Sequence, residues 1–214
     1  MIKQNTPRLR SLVPGALAGL LGLLAACNVV PPASDDPTRY FLLSDPPPAV
    51  VQAPAAGAVR IGLKEIGLES YLRKKEMVVR TGENEVEFRD FRRWAEPLDA
   101  SIVRVLRLRL LGAPGVAEVF AAPFPADQAR DYDVTIEVRR CEGAATPAGG
   151  FVASFAAMVE ISTAGADPHP VSRKLFTAPD AAWDGRDFER LASLLSADVS
   201  AVAQEIVAGI PARN

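Results

Sequence analysis

The chain has 214 residues, 24 basic against 26 acidic side chains, a formal net charge of −2 and a composition that is 49% hydrophobic. A balance this close to neutral argues against nucleic-acid binding, where a basic footprint should dominate. Two cysteines and one histidine leave no ligand cluster for a zinc site of the usual kinds.

The first element is a leader. Lys3, Arg8 and Arg10 precede an apolar run from Leu12 to Ala26, and no acidic residue occurs before Asp35. That layout predicts a secretory signal over residues 1–26. The run is short of the roughly 20 apolar residues a spanning helix needs, and it ends in small residues rather than a basic stop. Leu24, Ala25, Ala26 and Cys27 resemble the lipobox of bacterial lipoproteins. The resemblance implies cleavage before Cys27, with lipid on its sulfur and on the new amino group. Several acyl chains, at about 0.8 kcal/mol per buried methylene, hold a protein on a membrane where one myristoyl chain binds only marginally. Asn28 in place of an aspartate leans toward sorting to the outer membrane, on its periplasmic face; the inner membrane stays open as an alternative. Without Lys3, Arg8 and Arg10, 21 basic residues face 26 acidic ones, a formal charge of −5.

Residues 27–57 read as a lipidated N-terminus and tether, since seven of the 18 prolines fall between Pro31 and Pro54. A short strand at 39–43, the run "RYFLL", interrupts it. Residues 58–210 then have the composition of one globular domain. "AVRIGLKEIGL" (58–68) reads as a strand and its exit, and "EMVVRTGENEVEFR" (76–89) as a hairpin turning at Thr81 to Asn84. The stretch 92–112 looks helical: Leu98, Ile102, Val105, Leu106 and Leu110 recur at spacings of three and four, Pro97 suits a first turn and Gly112 a stop. "VAEVF" (116–120) is a short strand. Runs at 131–141, 151–162 and 171–177 are joined by turn-rich segments, which predicts a three-stranded antiparallel meander. A last helix carries Phe188, Leu191, Leu195, Val202 and Ile206 on one face, with Asp187 as N-cap and Gly209 before Pro211 at its end. The sum is α+β: a single domain with a mostly antiparallel sheet and two amphipathic helices packed on one face.

Catalytic constellations are hard to find. His169, in "ADPHP", reads as a surface turn residue. There is no G-x-S-x-G elbow, P-loop or G-x-G-x-x-G; Gly149 and Gly150 fit a hairpin turn. Glu83, Glu85 and Glu87 alternate along a strand as a charged, solvated edge would. Cys141 follows Arg139 and Arg140, which would lower a thiol pKa, but a small buried residue is the plainer reading. No catalytic residue, metal or cofactor is expected, and an enzyme is not the reading.

The informative stretch is residues 70–98, "SYLRKKEMVVRTGENEVEFRDFRRWAEPL". Tyr71, Leu72 and Arg73, then Val78, Val79 and Arg80, then Arg93, Trp94, Ala95, Glu96 and Leu98 resemble the pattern of the PqiC/YmbA-like family of ABC-type transport auxiliary lipoproteins. Lys74, Lys75 and Glu76 depart from it. The resemblance implies a lipid-anchored periplasmic subunit of an MCE-type lipid transport system. Its partners would be a periplasm-spanning MCE-domain protein and that protein's ABC permease and ATPase, and its role support of envelope integrity. Tyr71, Arg80, Arg93, Trp94 and Glu96 become candidate partner-binding residues, with packing the plainer reading for Trp94, as an anchor of the helix on the sheet, and for Tyr71 and Arg80, as groups that satisfy that corner. Whether copies associate into a homo-oligomer stays open. A pilotin-like lipoprotein that assists assembly of an outer-membrane channel is the alternative function.

Overall fold

The computed structural model describes residues 35–44, 57–125 and 127–211. The leader and Cys27 lie outside them. The elements are β1 (Arg39–Phe41), β2 (Val59–Leu63), β3 (Gly67–Leu68), a 3-10 turn (Ser70–Arg73), β4 (Glu76–Gly82), β5 (Glu85–Trp94), α1 (Leu98–Leu111), β6 (Val116–Ala121), β7 (Tyr132–Ala145), β8 (Phe151–Thr163), β9 (Pro170–Thr177), β10 (Ala181–Trp183) and α2 (Phe188–Gly209).

The long strand β7 organises the sheet. One edge pairs antiparallel with β8 along nearly its whole length, and β8 pairs antiparallel with β9 and β10. The other edge takes three consecutive segments, all parallel: β2 at Tyr132 to Val134, β3 at Glu137 and Val138, and β4 at Gly143 and Ala144. The chain therefore steps along β7, and the 3-10 turn makes the last step. Beyond this, β4 and β5 form the antiparallel hairpin, β1 adds parallel to β5, and β6 adds parallel to β2. This is the α+β architecture expected, with antiparallel long ladders and parallel short ones.

Both helices cover the same side. α1 packs on α2 and β6, and α2 packs on β7, β8 and β9. α1 buries Leu98, Ile102, Val105, Leu106 and Leu110, each contributing roughly 1.5–3 kcal/mol. α2 buries Leu191, Leu195, Val199, Val202 and Ile206. With 22 residues and a mean hydropathy of 1.4, α2 is long and apolar enough to cross a bilayer, but here its apolar face fills the core. The Asp187 carboxylate caps it, accepting from the backbone N–H of Glu189 and of Arg190 at 3.0 Å each, an interaction worth about 1 kcal/mol.

Parity along β7 changes once. Val134, Ile136 and Val138 face the helices, a bulge follows between Val138 and Arg140, and both Arg139 and Arg140 are exposed. Cys141 and Gly143 then point into the core and Glu142 to the opposite face. A Cβ on Gly143 would lie 2.5 Å from the Trp183 ring, so only glycine lets that ring close over the strand. Trp183 in turn packs edge-on against Phe188, with centroids 5.2 Å apart.

Two boundaries differ from the sequence reading. The first helix begins at Leu98, not Arg92, because β5 continues through Trp94. The Trp94 N–H donates to the Lys75 carbonyl at 2.7 Å and the Ala95 N–H to the Phe41 carbonyl at 2.8 Å. Pro97, at ψ 136°, is the N-cap, and a proline disfavours helical backbone in the residue before it. The hairpin turns at Glu83 and Asn84, so Glu83 sits in the turn, while Glu85 and Glu87 are exposed on the strand. β3 and β10 were not anticipated; at two and three residues they carry no periodicity.

Candidate functional site

The motif residues divide among three places. In the 3-10 turn, Leu72 is buried while Tyr71 and Arg73 point to different sides. Tyr71 reaches the sheet face opposite the helices, where its hydroxyl donates to the Arg139 carbonyl at 3.1 Å. Arg80, from β4, donates from Nε to Glu142 Oε1 at 2.6 Å and lies over the Tyr71 ring with its guanidinium carbon 5.8 Å from the centroid. The Glu142 side chain is 0% exposed and that of Arg80 22%. Arg80 thus neutralises a carboxylate taken wholly out of water. Burial first, and the Glu142 charge second, push the Tyr71 phenol well above its ordinary range.

Trp94 is elsewhere. Its ring is buried on the helix side of β5, at 4% exposure, where it anchors the end of the strand. Arg93, on the opposite face, donates to the Asp90 carbonyl and lies 3.6 Å from the Glu76 carboxylate, which places the departing residue Glu76 in a surface ion pair.

Glu96 belongs to a third set. Its carboxylate accepts from the Ser101 hydroxyl and from Arg104 at 2.8 Å, and the same Arg104 Nη2 donates to the Leu43 carbonyl at 2.8 Å. Those contacts, Ser101 first and Arg104 second, hold Glu96 below the usual carboxylate range. Leu43 is fully buried, and the Ser44 N–H donates to Ser196 Oγ on α2. Glu96 and Arg104 therefore fasten the incoming segment 39–44 to α1, and Ser196 fastens it to α2.

Beside the third set, with Arg104 among its lining, lies an open groove of about 1080 Å³. Lys64 and Ile66 from the β2–β3 link, Arg73 from the 3-10 turn, and Val103, Arg107 and Leu108 from α1 line it. Leu108 is 45% exposed, and Glu65 and Asp99 are the groove's acidic members. A wide, shallow surface with apolar patches and a surplus of cations can hold another protein; it lacks a nucleophile and base in contact. Neither Cys141 nor His169 enters it. Cys141 is buried, and burial pushes its thiol far up; His169 is exposed, near Asp167. Of the motif residues only Arg73 lines the groove. Sequence reasoning did not identify Glu142, Arg104 or the groove residues on α1. The exposed positions Arg107 and Leu108, off the apolar stripe of α1, with half-buried Val103 beside them, were the available signal.

The family model described as ABC-type transport auxiliary lipoprotein component matches residues 41–207. The fold is similar to that of a Xanthomonas campestris protein assigned to the family DUF330, at 15% identity and a TM-score of 0.66, covering 79% of this chain and 93% of that one. It is also similar to the crystal structure of an uncharacterized protein, at 15% identity and a TM-score of 0.58, covering 81% and 99%. No curated relative matches.

Proposed function

Because the chain belongs to the family of ABC-type transport auxiliary lipoprotein components, we propose that it is the lipid-anchored periplasmic subunit of an MCE-type lipid transport system, docking the MCE protein at the outer membrane. The family is one of transport components and not a known enzyme family. The observation that carries the proposal is the cationic, partly apolar groove beside α1, built on a frame the motif residues hold rigid. Lipid on Cys27 would keep the protein at the membrane. Arg80, Trp94 and Glu96 would serve docking indirectly, through the position of the 3-10 turn and of α1, while Tyr71 and Arg93 lie on the sheet face away from the groove.

The test is co-purification of the full chain from membranes with the MCE protein encoded beside it. Arg73→Glu and Leu108→Ser, which remove exposed groove groups, should lower recovery without lowering the melting temperature. Recovery of an outer-membrane channel protein in place of the MCE protein would replace this reading with the pilotin-like one.

A further inference from the structure

Five large hydrophobic side chains are exposed among the described residues: Tyr40 at 60%, Leu42 at 50%, Phe91 at 52%, Leu108 and Leu175. Three of them meet. β1 pairs parallel with β5, with Tyr40 opposite Arg93 and Phe41 opposite Trp94. Phe41 and Trp94 are buried toward the helices, so Tyr40 and Arg93 share the other face, with Leu42 exposed just past β1 and Phe91 exposed at the irregularity that β5 makes between Arg89 and Arg93. The result is an apolar patch at the edge of the sheet, on the first strand of the described residues.

We propose that this patch lies against the phospholipid bilayer in which the Cys27 lipid is held, an inference that rests on the lipidation proposed above. Two features favour a bilayer. Eleven residues separate Cys27 from Arg39; at 3.3–3.6 Å each they keep β1 within roughly 40 Å of the lipidated residue, whatever their path. Confinement so close to a surface raises the effective concentration of the patch, so that a contact too weak to bind a free domain still forms. The chemistry also fits an interface: two aromatic rings, one with a polar tip, beside Arg93, whose stem can lie on apolar surface with the head in the headgroup layer, while Arg39 and Arg92 turn to the helix side, over the Phe41 and Phe188 rings. Arg93 is itself paired with the Glu76 carboxylate at 3.6 Å. Apolar insertion rather than attraction to anionic lipid therefore drives the contact, and it should survive high salt.

The experiment uses the full lipidated chain in vesicles of phosphatidylethanolamine and phosphatidylglycerol, with brominated acyl chains as quencher. Leu42→Trp and Phe91→Trp add emission to that of the buried Trp94 and Trp183. Leu175→Trp is the control: β9 lies five strands from β1, about 24 Å at the usual spacing. Brominated lipid should remove most of the emission added at 42 and 91 in low and high salt alike, and leave that at 175. Labelled palmitate in the same preparation reports lipidation. Palmitate present with no quenching at 42 or 91, or equal quenching at 175, overturns the membrane contact and leaves lipidation standing; absence of palmitate overturns both. A dimer in detergent that Tyr40→Ser with Phe91→Ser converts to monomer would assign the face to a second copy and also overturn the proposal.

Discussion

Asp198 is a carboxyl group in the wrong place for a charge. It sits on the buried face of α2, 9% exposed, with Oδ2 lacking any hydrogen-bond partner, close enough to Cys141 to raise that thiol further. Burial pushes its pKa from 3.8 up to about 6. The folded state therefore holds the proton more tightly than the unfolded chain. Its stability is complete below about pH 4 and is lost as the pH rises through about 6. A shift of about two units, at roughly 1.4 kcal/mol each, makes the ionised carboxylate cost up to about 3 kcal/mol at pH 8. Asp198→Asn keeps the shape and cannot ionise. We expect it to be about as stable as the parent at pH 4.5 and more stable by roughly 1–3 kcal/mol at pH 8. For a domain of this size that is a rise in Tm of about 2–12 °C. Urea denaturation of both proteins across that range measures the difference, in which the other carboxylates cancel. A difference that stays flat with pH would refute the reasoning.

Arg80→Ala should destabilise the fold by about 3–5 kcal/mol, because it strands the buried Glu142 carboxylate; the double change with Glu142→Gln should recover much of that in urea melts, and no recovery would mean the pair is not the cause. Trp94→Ala should cost roughly 3–5 kcal/mol by opening a cavity under β5, read from the same melts, and a loss below 1 kcal/mol would contradict its burial. Native Cys141 should resist iodoacetamide at pH 8 and react once unfolded, as peptide mass mapping reports; rapid native alkylation would contradict its position facing α2.

The meander and the last helix were legible because their signals are local. Val134, Ile136 and Val138 alternate, and Asp187 stands one residue before an apolar face that repeats at helical spacing. The start of the first helix was not, since Trp94, Leu98 and Ile102 are also four apart and continue a helical pattern into what is strand. The ladder with β1 and β4 decides there, and β1 is about fifty residues away. Strict alternation from Val134 would also turn Glu142 toward the helices; the bulge at the paired arginines sends it to Arg80 instead. Of the candidate site, the sequence displayed the motif residues but not their division of labour. Arg80, Trp94 and Glu96 meet partners at positions 142, 41 and 104. The groove is assembled from segments near positions 65, 73, 105 and 121, and no short window contains it.

The most direct test of docking through that groove is photo-crosslinking in cells, from a photoreactive residue placed at Leu108 and, as control, at Leu175. The account predicts a crosslink from position 108 to the MCE-domain subunit and none from 175. Crosslinks from 175 alone, or from neither position while the MCE protein still co-purifies, would place the partner on another surface and contradict it.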